Sequence, residues 1–137
     1  GLIHARTLDL PVDSKGLVGE DELYAPDESD VQILQTAQTK SDAPLRFSIR
    51  FHLHPEVTPN FDADSASISL TLTTGEIWVF RCQPGTELAL DDSVYFEDGR
   101  QFPRPSKQIV LTGVIKEITT RVRWSLVKAS ENPQKAP

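Results

Sequence analysis

The chain has 137 residues, 38% hydrophobic and 25% charged, with a formal net charge of −6. That length suits one domain able to bury about two thirds of its unfolded surface, and the acidic balance argues against a nucleic-acid partner, since phosphate neutralisation needs clustered Lys and Arg. The lone Cys82 excludes an internal disulfide and a cysteine-based zinc cluster, and no apolar run approaches the roughly 20 residues needed to cross a membrane as a helix.

In chain order, IHARTLDLPV (3–12) and GLVGEDEL (16–23) are predicted strands around the turn-rich DSKG. The chain contains no Met and opens inside a strand-like segment with no signal or transit peptide. It therefore reads as one domain, residues 1–130, taken from a longer protein, with a flexible tail at 131–137. Residues 24–44 are polar and lack period two. Within them VQILQTAQ is predicted to form a short helix near 29–37, capped by Ser29 or Asp30, with an ordered loop as the alternative.

LRFSIRFHLH (45–54) alternates strictly. Phe47, Ile49, Phe51 and Leu53 belong to one face, and Arg46, Ser48, Arg50, His52 and His54 to the other. SASISLTLTTG (65–75) alternates too, and TTGE reads as a hairpin turn into EIWVFRC (76–82). The latter is apolar on both faces and reads as a central strand. After the breaker Pro84-Gly85, ELAL and SVYFE are short predicted strands. KQIVLTGVIKE (107–117) and TTRVRWSLVK (119–128) read as an adjacent pair. About eight or more strands with frequent turns predict an antiparallel β-sandwich or barrel.

The candidate chemistry centres on RFHLHPEV (50–57). His52 and His54 are at i and i+2, so both imidazoles share one strand face, a common way to offer two ligands to a metal. Zinc takes His, Cys and carboxylate donors in a tetrahedron, and His4, Glu20, Asp21 and Glu22 are the other donors available. The plain alternative is two neutral histidines beside Arg and Ser on a solvated face. A cupin pattern fails, because no His follows His54 and the expected Glu position is filled by Thr58 or Pro59. A Gly-x-Ser-x-Gly elbow and a phosphate-binding Gly-rich loop are both missing from the sequence. Cys82 sits in an apolar strand, where thiols are normally inert. Arg46, Arg50, His52 and His54 form a compact row suited to a carboxylate or sulfate. Arg121 and Arg123 form a similar row. Trp78 and Trp124 read as core residues rather than sugar platforms.

The ordered succession IHARTLDL, GLVGEDEL, RFHLHPEV, GEIWVFRC, SVYFEDG, KQIVLTGVI and TRVRWSLVKA resembles the C-terminal part of bacterial heparinase II/III-like proteins. The resemblance covers nearly the whole chain apart from residues 26–42 and the tail. It implies a β-sandwich that follows an N-terminal α/α toroid in the parent chain. Active members are polysaccharide lyases that cleave uronic-acid-containing chains by β-elimination, with the catalytic Tyr on the toroid. Tyr24 and Tyr95 match no catalytic motif, so the isolated domain is expected to be inactive. The implied partners are the toroid and an acidic polysaccharide, and the implied compartment is the bacterial periplasm. Family members can also hold a structural zinc ion. Carried over, its ligands here are His4, Asp21 and either His52 or His54. The sandwich's own catalytic His, where a member has one, precedes the metal His by two residues. Leu2 stands there in this chain, which puts the parent's lyase activity in question.

Overall fold

The computed structural model describes residues 2–40, 44–99 and 101–129, so the expected tail at 131–137 lies outside the described residues. Among the described residues nine strands follow in order: β1 (Ile3–Asp9), β2 (Gly16–Tyr24), β3 (Arg46–His52), β4 (Thr58–Asp62), β5 (Ser67–Thr71), β6 (Ile77–Cys82), β7 (Glu87–Tyr95), β8 (Arg104–Val114) and β9 (Thr119–Lys128). One helix, α1 (Glu28–Lys40), lies between β2 and β3. Six strands form one sheet, in the order β1-β2-β9-β6-β5-β4, and three form the other, in the order β3-β8-β7. Every pairing is antiparallel. The architecture is the expected all-β sandwich.

The core forms where the alternating apolar faces of the two sheets meet. Ile49, Ile109 and Leu111 of the small sheet join Ile68, Phe80, Val122 and Trp124 of the large one in a single buried cluster. Phe80 and Trp124 stack with ring centroids 5.6 Å apart, and Phe51 meets Trp124 edge-on at 4.9 Å. Gly19 of β2 lies directly against Trp124. A Cβ at position 19 would sit 2.1 Å from the ring, so no other residue fits there without displacing the indole. Gly75 closes the β5–β6 hairpin with φ at 90°, a conformation that costs glycine little.

Four sequence expectations change in the folded chain. The segments at 107–117 and 119–128 are not paired with each other. β8 lies between β3 and β7, and β9 between β2 and β6. Both are apolar enough to be central strands, so each occupies the middle of its own sheet and the link between them crosses the sandwich. ELAL and SVYFE are one strand, because Asp91 and Asp92 continue the ladder opposite Gln108 and Lys107. Thr58–Asp62, to which the sequence reading assigned no element, is β4 at the sheet edge, where Pro59, a residue without an N–H, is tolerated. The helix is longer than 29–37, and its cap is Asp27, whose Oδ1 accepts from the Asp30 amide at 2.9 Å. It buries Leu34, and Gln38 Nε2 donates to the Ile115 carbonyl at 3.3 Å.

Candidate functional site

The outer face of the three-stranded sheet carries the row that stood out in the sequence. β3 and β7 flank β8, and residues of one parity on all three strands point away from the core. Val110 faces Arg50 on one side and Ala89 on the other. Yet the long β3 side chains reach across β8 and one pleat further along β7. Arg46 Nη2 lies 3.4 Å from Glu87 Oε2, and Arg50 Nη1 lies 3.6 Å from Asp91 Oδ2. His52 Nδ1 shares a hydrogen bond with Ser93 Oγ at 2.8 Å, and the His54 ring packs on Tyr95 with centroids 4.8 Å apart. Four rungs thus span the sheet. Val110 beneath them is only 4% exposed although it is on the outer face, as expected where arginine stems lie across a strand.

Both arginine rungs are solvent-exposed and long, so each is worth about 0–1 kcal/mol. The Glu56 amide donates to His54 Nδ1 at 3.1 Å, which makes that nitrogen an acceptor and leaves Nε2 to carry the proton. Ser106 and Gln108 of β8 sit at the histidine end of this face, opposite Ser93 and His52 respectively. Ser106 Oγ and Gln108 Oε1 are buried without a hydrogen-bond partner among the described residues. No carboxylate among the described residues meets the other ring nitrogen of His52, so the His52–Ser93 pair lacks the orienting acid of a hydrolytic triad.

His4 and Asp21 lie elsewhere, on the core-facing side of the large sheet. β1 pairs with β2 so that His4 is opposite Leu23 and Arg6 opposite Asp21. Asp21 is fully buried, and its carboxylate is held by Arg6 through a two-pronged contact: Nε to Oδ1 at 2.7 Å and Nη2 to Oδ2 at 3.0 Å. His4 Nε2 lies 3.5 Å from Oδ2. The Arg6 guanidinium also lies over the Phe51 ring at 4.5 Å and near Trp124 at 5.8 Å. The hydrogen bond to Asp21 raises the Arg6 pKa further above its usual value, against the opposing effect of burial.

The structure therefore brings His4 to Asp21 but places His52 and His54 on the far surface of the other sheet. Among the described residues no three His, Cys, Asp or Glu side chains gather closely enough to hold a metal ion. The donor set implied for zinc does not fit as arranged, because Arg6 occupies both oxygens of Asp21 and His54 Nδ1 is already an acceptor. Glu20 and Glu22 turn to the opposite face of β2 and pair with Arg121 and Arg123. Arg6, Glu87, Asp91 and Ser93 were not singled out in the sequence. Arg6 carried a usable signal: it shares a strand face with His4. Trp124 is buried, and Trp78 lines an open apolar recess of about 410 Å³ with Leu10, Leu17, Leu53, Leu70 and Leu126. Burial pushes the Cys82 thiol pKa up, away from the reactive thiolate form.

Residues 1–125 match the family described as Heparinase II/III-like, C-terminal. The chain belongs to that family. A relative, FtsZ-localized protein C of Caulobacter vibrioides (strain NA1000 / CB15N), is 31% identical over 130 residues, which cover 94% of this chain and 21% of that protein. The chain thus spans about a fifth of the curated relative it matches. In this heparinase II/III-like sandwich the four-rung face, the Arg6–Asp21–His4 group and the Glu20–Glu22–Arg121–Arg123 cluster are the concentrations of polar chemistry described above.

Proposed function

We propose that the chain is a non-catalytic accessory sandwich within a longer heparinase II/III-like protein, its four-rung face forming one wall of a cleft for uronic-acid-containing polysaccharide. The observation that carries this reading is the row Arg46, Arg50, His52 and His54 on one exposed face of a chain of this family. The arginines meet Glu87 and Asp91 only in long, exposed ion pairs, so an incoming carboxylate or sulfate can exchange with either at small cost. β-Elimination needs a base, an acid and a group that neutralises the uronate carboxylate. In this reading the sandwich contributes only neutralisation and binding, the base and acid belong to an N-terminal toroid, and the protein works in the periplasm.

The test is a full-length protein carrying Arg50→Ala and His54→Ala, assayed on heparin, heparan sulfate and alginate. The expected result is a loss of roughly tenfold or more in kcat/KM, with Arg121→Ala, on the other sheet, near wild type. Unchanged rates in the double variant, or no depolymerisation by the wild type, sink the reading.

A second reading draws on the relative whose name records localisation with FtsZ. Here the same face meets a protein rather than a glycan. Full-length protein fused to a fluorescent label would then co-localise with FtsZ, and Arg50→Ala with His54→Ala would disperse it. A label distributed without regard to FtsZ rejects this alternative.

A further inference from the structure

Asp21 is 0% exposed. A carboxylate taken so fully out of water must be paired and hydrogen-bonded, because an isolated buried charge is costly. The resemblance to zinc-holding sandwiches assigns that pairing to a divalent ion. The geometry points to a different cation: we propose that the Arg6 guanidinium is the resident counter-ion of Asp21, standing where a metal would, and that it clamps edge strand β1 to the body of the sandwich.

Three observations converge on Arg6. Its two nitrogens take both carboxylate oxygens, at 2.7 and 3.0 Å, the fork geometry that guanidinium and carboxylate share. A zinc ion bound to either oxygen would sit at about 2.0–2.2 Å, so it would crowd a guanidinium nitrogen and bring two cations together. The surroundings also suit a flat organic cation. Phe51 presents its face at 4.5 Å and Trp124 lies at 5.8 Å, an aromatic environment that stabilises guanidinium through its π-surface. Finally, His52 and His54, either of which would have to complete a metal site with His4 and Asp21, are on the outer face of the other sheet, engaged with Ser93 and Tyr95.

The clamp follows from where these groups sit. β1 is an edge strand whose residues are all exposed, and β2 is its partner in the sheet. Arg6 joins β1 to β2 through Asp21, to β9 through Trp124 and to β3 of the opposite sheet through Phe51. One side chain thus ties an otherwise peripheral strand to both layers. The inference stands apart from the glycan and FtsZ readings, since it concerns the core-facing side of the large sheet and does not need either partner.

The experiment compares the 137-residue chain with Arg6→Met and with Arg6→Met/Asp21→Leu. Metal content is measured by mass spectrometry, melting is followed with and without a strong chelator, and β1 amide exchange is recorded. The wild type should carry substoichiometric zinc and melt at the same temperature with chelator. Arg6→Met, which strands a buried carboxylate, should melt roughly 10 °C or more lower, with β1 amides exchanging faster than those of β9. The double variant should recover at least half of that loss, because no charge is left unpaired. Stoichiometric zinc whose removal lowers the melting temperature overturns the proposal. So does an Arg6→Met variant as stable as wild type with β1 still protected. If Arg6→Met does not fold, a folded double variant supports the clamp, and the wild-type metal content and chelator response decide the question of the cation without either variant.

Discussion

The contact between Gly19 and Trp124 makes a sharp prediction about the core. Replacing Gly19 with Ala places a methyl carbon 2.1, 2.2 and 2.7 Å from three atoms of the indole ring. Carbon atoms in contact prefer about 3.5–4.0 Å, so the ring or strand β2 must move by roughly 1.5 Å. Trp124 has little room to do so. It is 6% exposed and packs in a mutual three-ring cluster with Phe80 and Phe51. Overpacking of this kind costs about 1–3 kcal/mol, and a rigid, buried ring packed against two others belongs at the upper end. For a chain of this length that corresponds to a melting decrease of roughly 6–12 °C. Gly16→Ala is the matched control, since its new carbon meets nothing nearer than 3.7 Å. Both substitutions reduce the freedom of the unfolded chain equally, so their difference isolates the clash. Thermal and urea unfolding with tryptophan fluorescence measure it. If Gly19→Ala unfolds within about 0.5 kcal/mol of Gly16→Ala, the packing account of the β2–β9 contact is wrong.

Two further outcomes follow from titrating groups. Because burial raises the Cys82 thiol pKa, iodoacetamide at pH 8 should label the native chain several-fold more slowly than the same chain in denaturant; equal rates would contradict the burial. Glu76 is held below its ordinary pKa of 4.5, chiefly by the hydrogen bond from Lys128 at 3.2 Å. A depressed carboxylate stabilises the fold above its unfolded pKa and ceases to as pH falls through the folded one. Glu76→Gln should therefore melt slightly below wild type at neutral pH, with the gap closing as pH falls through the lowered folded-state pKa. A gap that persists or widens in acid would show that Lys128 is not its source.

Much of the candidate site was legible because strand periodicity is local. Once residues 45–54 are a strand, the pleat alone puts Arg46, Arg50, His52 and His54 on one face. The acids that answer them were not legible. Glu87 and Asp91 lie on β7, beyond three intervening strands, and they meet the arginines only because β3 and β7 flank the same central strand in one register. The zinc-type donor set shows the same limit. His4 and Asp21 come together through the short β1–β2 hairpin, whereas which surface received His52 and His54 depended on which sheet β3 joined.

By itself, then, the alternation of apolar and polar residues determined that this chain is a layered antiparallel body and which side chains line each strand face. It also located the breaks at Gly75 and Pro84-Gly85. Only the tertiary structure decided that β8 and β9 are centres of separate sheets, that Asp27 caps the helix, and that Arg6 neutralises Asp21. The physical reason is one of range. Side-chain direction follows from the backbone of a few adjacent residues, while strand order, register and the pairing of a buried charge are settled by what the whole core must cover.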